Sequence, residues 1–242
     1  MTSVLPPVAE KPRFVAAMFG RIAPRYDLIN TLMTFGQDAR WRRKVAGVLP
    51  ALGREAHVLD VGTGTGRLGV AVREIDPTWR VVGVDFTFEM LRQASGDLAM
   101  AAGDAQQLPF ADGQFDAIVS GFLVRNLADI ERGLLEQVRV LRSGGALVIL
   151  ETTPGPSGWQ RPFYRFYFRR IVPLLGNLIA GDASAYTYLP ESTLAFVQPE
   201  RLGSLLRTAG LSDVHIHYLM LGCVAMIVGY KPAMLPRAEG TP

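Results

Sequence analysis

Apolar and polar positions along the chain alternate between short apolar runs and longer segments with helical spacing. The short runs predict buried strands at 58–61, 80–84, 98–102, 115–120 and 146–150. Between them lie amphipathic helices, one with apolar residues at 130, 134, 135, 138 and 141. Ser143, Gly144 and Gly145 are expected to end that helix. This alternation predicts an α/β fold in which parallel strands are joined by right-handed crossovers.

The chain on either side of this alternation is organised differently. Residues 13–49 have helical spacing interrupted at Pro24 and Gly36, and they are placed to cover the cleft at the first strand. A helix at 200–209 and strands at 214–218 and 224–230 complete the core. The predicted division is a helical cover, a core, an insertion or lid, the rest of the core and a flexible tail, at 1–50, 51–153, 154–192, 193–231 and 232–242.

The glycine-rich segment 57–69, HVLDVGTGTGRLG, joins the first strand to the next helix. Glycine tolerates positive φ and lets the backbone approach a ligand where a Cβ would clash. Gly64, Gly66 and Gly69 match the dinucleotide pattern G-x-G-x-x-G, and Asp85 lies roughly 20 residues on, where a ribose hydroxyl would be bound. Taken alone, this match indicates a nucleotide-type cofactor without identifying it.

The acidic residue before the glycines separates two cofactor interpretations. Asp60 would repel a pyrophosphate, whereas its carboxylate can hold the amino acid part of S-adenosylmethionine by charge-assisted hydrogen bonds. An NAD-dependent oxidoreductase would also need a catalytic Tyr/Lys or His pairing beside the cleft, and His215 and His217 lie far along the chain in a closing strand. The pattern therefore favours S-adenosylmethionine, and a glycine turn that binds no ligand is the remaining alternative.

Composition and charge exclude several classes of function. The 25 basic and 22 acidic side chains leave a formal charge of +3, too small to indicate nucleic-acid binding, and no zinc spacing suggests a metal site. Cys223 is the single cysteine, so no internal disulfide forms, and its apolar setting predicts a buried, inert thiol. Neither a secretory signal nor a transmembrane segment is apparent. These features predict a cytoplasmic protein.

Residues 154–190 interrupt the alternation with arginine and aromatic residues. Arg161, Arg165 and Arg169 are spaced by four residues and fall on one face of a helix, with aromatic side chains between them. Two interpretations stay open. The segment is either an amphipathic helix that lies in the inner membrane surface, or an ordinary insertion whose aromatics pack on the core while the arginines face water.

Several segments together resemble the ubiquinone and menaquinone biosynthesis C-methyltransferases. They are FGRIAPRYDLINTLMTFGQDARWRR, VLDVGTGTGRLG, GDAQQLPFADGQFDAIVSGFLVRNLADI, VLRSGGALVILE and YTYLPESTLAF, within residues 14–231. The resemblance implies a Rossmann-like class I methyltransferase fold, with a seven-stranded, mostly parallel sheet, an antiparallel last strand and helices on both faces. It also implies methylation of a polyprenyl quinol by S-adenosylmethionine, with demethylmenaquinol favoured over an acceptor of the ubiquinone pathway.

The resemblance carries a set of cofactor residues onto this sequence. Asp60 and the turn after it would hold the methionine part, Asp85 the ribose hydroxyls and Asp104 the adenine amino group. Ser120 would lie near the donor at the end of the fourth strand. The full set is Asp60, Gly62, Thr63, Gly64, Thr65, Gly66, Asp85, Phe86, Asp104, Ala105 and Ser120. All lie at or just after the carboxyl ends of parallel strands, where such sheets bind ligands.

Catalysis is assigned to Arg125, Asn126, Tyr26 and Asp27. A phenol has a pKa near ~10, so a cation that favours the phenolate makes the neighbouring ring carbon a better nucleophile. Arg125, beside Asn126, is the predicted cation, while water or Asp27 takes the proton and Tyr26 closes over the donor. The alternative role for Arg125 is a structural ion pair with Asp129.

Three positions depart from the family pattern. Arg67 stands where an acidic residue is common, Thr31 replaces an aspartate, and QDARW at 37–41 takes the place of a His-Arg-x-Trp segment. The last two fall in the cover over the substrate, so another lipid or phenolic acceptor stays an alternative, as does an inactive scaffold subunit. Expected partners are a polyprenyl quinol, the membrane surface and a second copy of the chain in a homodimer.

Overall fold

A seven-stranded sheet organises the chain. The computed structural model describes residues 5–156, 158–174 and 183–233, with 183–185 described by backbone alone. The strands are β1 (His57–Val61), β2 (Arg80–Asp85), β3 (Ala99–Ala102), β4 (Phe115–Gly121), β5 (Leu141–Thr152), β6 (Ser212–Leu219) and β7 (Val224–Tyr230). Their order in the sheet is β3, β2, β1, β4, β5, β7, β6, and β7 alone runs in the direction opposite to the other six strands. The predicted class I arrangement, with an antiparallel last strand, is confirmed.

Helices surround this sheet. They are α1 (Lys11–Ile22), α2 (Tyr26–Met33), α3 (Gln37–Gly47), α4 (Arg67–Arg73), α5 (Phe88–Arg92), α6 (Ile130–Val140), α7 (Arg161–Phe166), α8 (Ala183–Leu194) and α9 (Pro199–Thr208). The first three lie in the predicted cover. A π-helical turn, Tyr167–Ile171, extends α7 within the predicted insertion. Residues 175–182 of that insertion, and 234–242 of the predicted tail, lie outside the described part of the chain.

Alternate residues of the central strands feed two buried clusters, one on each face of the sheet. Leu59 and Ile118 pack with residues of α6 and α9, whereas Val58 and Val119 pack with residues of α3 and α4. This is the two-residue period of a strand. Because both faces are covered, the central strands are apolar throughout, and polar side chains meet a ligand at the carboxyl edge of the sheet.

The start of β5 differs from the sequence prediction. The helix before it ends at Val140, and the strand begins at Leu141, so the serine and two glycines expected to end the helix lie inside the strand. Gly144 has a φ of 81°. A Cβ at Gly145 would lie 2.7 Å from the carbonyl oxygen of Asp116. Gly145 therefore lets β5 pass close to β4, and Gly144 has a backbone conformation that favours glycine, so neither residue acts as a helix stop.

The cover and the insertion pack against each other through a third apolar cluster. It contains Met18 and Ile29 of the cover with Val172 and Tyr188 of the insertion. The ring of Phe14 in α1 lies 5.3 Å from that of Tyr188 in α8. Through these contacts the cover and the insertion together enclose the carboxyl edge of the sheet.

Lysine also ties the cover to the core. Lys11 Nζ donates hydrogen bonds to the carbonyl oxygens of Arg125 at 2.9 Å and Leu127 at 2.7 Å. Burial, together with the nearby charge of Arg125, lowers the pKa of Lys11. The cover is therefore attached to the turn that follows β4.

Two neighbouring leucines of α6 have different surroundings, although the sequence placed both on the face toward the sheet. Leu134 is 1% exposed and Leu135 is 54% exposed. Leu134→Ala is expected to lower the free energy of unfolding by about 2–5 kcal/mol, because it leaves a cavity. Leu135→Ala is the matched control and should change it by under ~0.5 kcal/mol. Urea denaturation measures both, and equal losses would contradict this placement of the core.

Candidate active site

The loop after β1 has the backbone conformation that glycine favours. Gly62, Gly64 and Gly66 have φ values of 68°, 56° and 83°. A Cβ at Gly62 would lie 2.8 Å from the side chain of Leu123. The N–H of Gly64 donates to Asp85 Oδ2 at 2.8 Å. The loop is thus held against the end of β2, and the Leu123 side chain leaves no room for a Cβ at Gly62.

Asp60 lies at the base of this loop and is fully buried. Its Oδ2 accepts hydrogen bonds from Thr63 Oγ1 at 2.7 Å and from the Gly69 N–H at 2.9 Å. Its Oδ1 has no partner among the described residues. Burial raises the pKa of Asp60 to about 6. An unpaired carboxylate oxygen in this position fits a ligand ammonium group.

A cleft of about 100 Å³ lies beyond the loop. Asp85 and Phe86 after β2, and Asp104 and Ala105 after β3, line it. Asp85 Oδ1 accepts from the Thr87 N–H at 2.8 Å, and burial raises the pKa of Asp85. Residues of α1 cover the cleft from above. These surroundings fit a nucleoside, with carboxylates for its hydroxyl and amino groups, and we call this the donor pocket.

A smaller recess at the Asp60 end of the donor pocket is rich in charge. Its lining includes Asp60, Thr65, Arg42 and Arg67. A carboxylate and two guanidinium groups complement the ammonium and carboxylate of an amino acid. The recess therefore fits the methionine part of S-adenosylmethionine. Sequence reasoning noted Arg67 only as a departure from the family and missed Arg42, which is brought in from the cover.

A second cavity, of about 360 Å³, lies between the cover, the insertion and the end of β5. We call it the acceptor cavity. Most of its lining is apolar or aromatic, including Met33, Trp41, Phe122, Tyr164, Tyr167, Phe168, Val172 and Leu189. The ionisable side chains Asp38, Arg42 and Arg125 also line it. Such a cavity fits a flat apolar ring that carries a few polar atoms.

Tyr26 and Phe122 line both the donor pocket and the acceptor cavity. Phe122 has a φ of 59°, a left-handed conformation that costs a residue other than glycine about 1–3 kcal/mol. Its N–H donates to the Leu150 carbonyl at 2.7 Å. Its carbonyl oxygen accepts from Arg125 at 2.9 Å and from Asn126 Nδ2 at 3.1 Å. These bonds hold the ring where the two spaces meet.

Arg125 is 6% exposed and forms an ion pair with the buried Glu151 carboxylate at the end of β5. Burial, the largest effect, lowers the pKa of Arg125, but the Glu151 carboxylate together with Tyr26 and Tyr188 raises the pKa overall. Its Nε has no hydrogen-bond partner in the described structure. The alternative pair with Asp129 is wrong, since Asp129 caps α6 by accepting from the Arg132 N–H at 3.0 Å.

The other predicted residues lie around these spaces. Asn126 lines the donor pocket, and its Oδ1 accepts from Tyr188 OH at 3.2 Å. Ser120 is fully buried, and its Oγ has no partner among the described residues. Asp27 accepts from Thr65 Oγ1 at 2.8 Å. Asp27 therefore faces the glycine loop and is not among the described residues that line the acceptor cavity.

The fold and the pockets define a class I S-adenosylmethionine-dependent methyltransferase. A methyltransferase of Thermotoga maritima that depends on S-adenosylmethionine has the same fold, with a TM-score of 0.64, 20% identity and coverage of 89% of this chain and 98% of that one. Phosphoethanolamine N-methyltransferase 2 of Haemonchus contortus, solved with S-adenosylmethionine, has a TM-score of 0.60, 13% identity and coverage of 80% and 52%.

The chain belongs to the ubiE/COQ5 methyltransferase family, whose model matches residues 8–231. It is 43% identical over 237 residues to the demethylmenaquinone methyltransferase of Deinococcus radiodurans, covering 93% of this chain and 97% of that protein. Identity is 45% over 223 residues with the enzyme of the same name from Thermus thermophilus, covering 89% and 100%. The ubiquinone/menaquinone biosynthesis C-methyltransferase UbiE of Desulfotalea psychrophila is 43% identical, covering 93% of each. The predicted family and cofactor are confirmed.

Affinity for S-adenosylmethionine should depend on pH through Asp60. Because the pKa of Asp60 is raised to about 6, its carboxylate is protonated below that pH and then no longer pairs with the ammonium group of the ligand. Below that pH the dissociation constant should rise by up to about tenfold per pH unit. Asp60→Asn should weaken binding and flatten this dependence in isothermal calorimetry. Tight binding of NADH without heat from S-adenosylmethionine would contradict the assignment of the pocket.

Proposed function

We propose that this chain transfers the methyl group of S-adenosylmethionine to a ring carbon of demethylmenaquinol, a polyprenylated naphthoquinol, in menaquinone biosynthesis. The observation that carries this proposal is the apolar acceptor cavity, which meets the donor pocket at Tyr26 and Phe122. A quinol ring there lies beside the donor, and the names of the relatives favour the naphthoquinol. S-adenosylmethionine supplies an electrophilic methyl carbon, so the protein chiefly has to align the acceptor and exclude water.

The polyprenyl tail needs a way out of the acceptor cavity. Five apolar residues that line it, between 45% and 76% exposed, form what we call the apolar rim: Phe35, Trp159, Phe163, Met220 and Leu221. Exposed apolar patches of this kind mark binding surfaces. We propose that the tail leaves the protein across the apolar rim, while the ring lies among the buried aromatic residues.

Arg125 is the residue to which we assign stabilisation of the quinolate. It is buried, positively charged and part of the cavity wall. Its unpaired Nε–H can donate to a ring oxygen while the rest of the guanidinium pairs with Glu151. A charge-assisted hydrogen bond in a dry cavity favours the anion over the neutral phenol. The arginine stays protonated and so acts as a donor and a charge, not as a base.

A direct assay tests the proposed activity. Purified protein, incubated without oxygen with S-adenosylmethionine and reduced demethylmenaquinone, should give a product heavier by one methylene group in mass spectrometry. A polyprenyl benzoquinol serves as the competing acceptor and should react more slowly. Cells that lack the protein should accumulate the demethylated quinone. An unchanged quinone profile would reject the acceptor but not the donor.

Arg125→Ala should lower kcat/KM for the quinol at least tenfold, a loss of about 1.4 kcal/mol of transition-state stabilisation. Steady-state kinetics measures it, and a change within twofold would reject the role. Because the variant leaves Glu151 buried without its partner, stability must be measured as well. The double variant Arg125→Ala/Glu151→Ala removes the stranded carboxylate. It should recover stability but not activity.

We also propose that the apolar rim meets an acidic membrane surface. Arg161, Arg165 and Arg169 line a groove beside the rim, on the helix that carries Phe163. Glu191 and Glu200 line the same groove. Aromatic side chains flanked by arginines suit the boundary between acidic headgroups and acyl chains. No helix in the described ranges is long and apolar enough to cross a membrane.

Removing apolar area from the rim should weaken binding to vesicles that contain acidic phospholipids. Phe163→Ser is expected to lower the partition coefficient by about tenfold, from ~1.5 kcal/mol of lost apolar burial. Leu135→Ser, on an exposed face of α6, is the matched control and should change nothing. Vesicle sedimentation measures the bound fraction, which should also fall as salt rises. Equal effects of the two variants would argue against membrane binding through the apolar rim.

A homodimer stays a prediction. Analytical ultracentrifugation of the purified chain measures its mass in solution and tests it.

A further inference from the structure

The acceptor cavity contains a carboxylate that sequence reasoning named only as part of a departure from the family. Asp38, in the first turn of α3, is 1% exposed and lines this cavity. Carboxylates are rarely buried unless they are paired or functional. Asp38 does have partners, but its two carboxylate oxygens differ in the number and the charge of the groups that they contact.

The polar and charged groups around Asp38 come from four elements, and three of these elements supply groups that contact it directly. From its own helix, Arg42 Nη1 donates to Asp38 Oδ2 at 2.6 Å, and from α4 Arg67 Nη1 lies 3.4 Å from the same oxygen. From the preceding turn, Thr34 Oγ1 donates to Oδ1 at 3.2 Å. From α2, Asp27 lies 3.9 Å from Arg67. Both guanidinium groups thus bind Oδ2, whereas Oδ1 has only a hydroxyl donor among the described residues and is the oxygen better able to accept another hydrogen bond.

Quinol methylation requires a proton acceptor, and the other candidates around the cavity do not suit this role. Arg125 stays protonated. Glu151 is occupied by the Arg125 guanidinium, the Arg125 N–H at 3.3 Å and the Thr152 N–H at 2.9 Å. Burial raises the pKa of Tyr26, so it stays a neutral phenol at neutral pH. Asp27 faces the glycine loop.

The position of Tyr26 relates the two charged sites of the cavity. Its phenol interacts electrostatically with both Arg125 and Arg42, the partner of Asp38. A quinol ring in the acceptor cavity shares that cavity with a buried cation from the core and a buried carboxylate from the cover, because Arg125 and Asp38 both line it.

We propose that Asp38 accepts the proton of the quinol hydroxyl next to the reacting carbon and is the general base of the methyl transfer. This inference rests on the proposed function. The O–H proton moves to the Asp38 carboxylate, a bond forms between the ring carbon and the methyl carbon, and the bond from methyl carbon to sulfur breaks. The methylated ring then loses its carbon-bound proton to water, and the ring oxygen regains a proton from Asp38. One proton is released, and Asp38 returns to its carboxylate form.

Asp38→Asn tests this proposal, because the amide keeps the size of the side chain but cannot take the proton. We expect kcat at neutral pH to fall by about 10²–10⁴-fold. The remaining activity then depends on quinol ionised without help, so it should rise about tenfold per pH unit below the phenol pKa of ~10. The wild-type rate should rise less steeply over the same range. Kinetics without oxygen between pH 6 and 9 measures both profiles.

The competing explanation is that Asp38 only stabilises the start of α3 and orients Arg42. That role predicts a uniform loss with the wild-type pH profile, and this result would overturn the proposal, as would unchanged activity. Calorimetry with S-adenosylmethionine checks that the donor pocket of the variant is intact. If it is not, Asp38→Glu replaces it: a slower enzyme with the wild-type profile supports the base, and a steep profile opposes it.

Two further variants complete the experiment. Asp116→Asn removes a carboxylate that pairs with Arg142 at the opposite end of β4, and it should leave the pH profile unchanged. Asp27→Asn should also keep the wild-type slope, and a steep profile there instead would move the base to Asp27. If the wild-type protein methylates no quinol at all, the proposed function fails, independently of what Asp38 does.

Discussion

The buried ion pair between Arg125 and Glu151 is the interaction on which the rest of the site depends. A charge at this depth is tolerated only when it is paired and hydrogen-bonded. Here the pair fixes the turn after β4, and that turn connects three parts of the chain. Lys11 attaches the cover to it, and Asn126 and Tyr188 attach the insertion. The parts of the chain that form the donor pocket and the acceptor cavity are therefore held together at the turn that the Arg125–Glu151 ion pair fixes.

Charge compensation also explains how one edge of a sheet serves two unlike ligands. At the Asp60 end, a carboxylate and two guanidinium groups face a recess whose ligand carries both signs. In the acceptor cavity, charged side chains lie at two places on a mostly apolar wall. Arg42 lines both spaces.

Strand ends and glycine turns, which can be read within one segment of the sequence, predicted the cofactor-binding part of the site. Asp60, Asp85 and the glycines after β1 follow from strand ends and turns, and the alternation of elements predicted the sheet. Glu151, Lys11 and Asp38 belong to the site through contacts between distant segments, which no pattern within one segment contains. Glu151 did leave a trace, as an acidic residue ending the apolar run of β5. Leu135 and the start of β5 were mispredicted because tertiary packing, and not periodicity, decides which side chains are covered.

Phe122 carries a consequence for the way this enzyme can change over time. Glycine adopts this left-handed conformation without strain, so stability alone would favour glycine over phenylalanine at this position. Phe122 therefore lowers the stability of the fold, and in return it places an aromatic ring where the donor pocket and the acceptor cavity meet. A more heat-stable variant of this fold would have to gain its stability at other positions, because replacing Phe122 by glycine would remove the ring that lines both spaces.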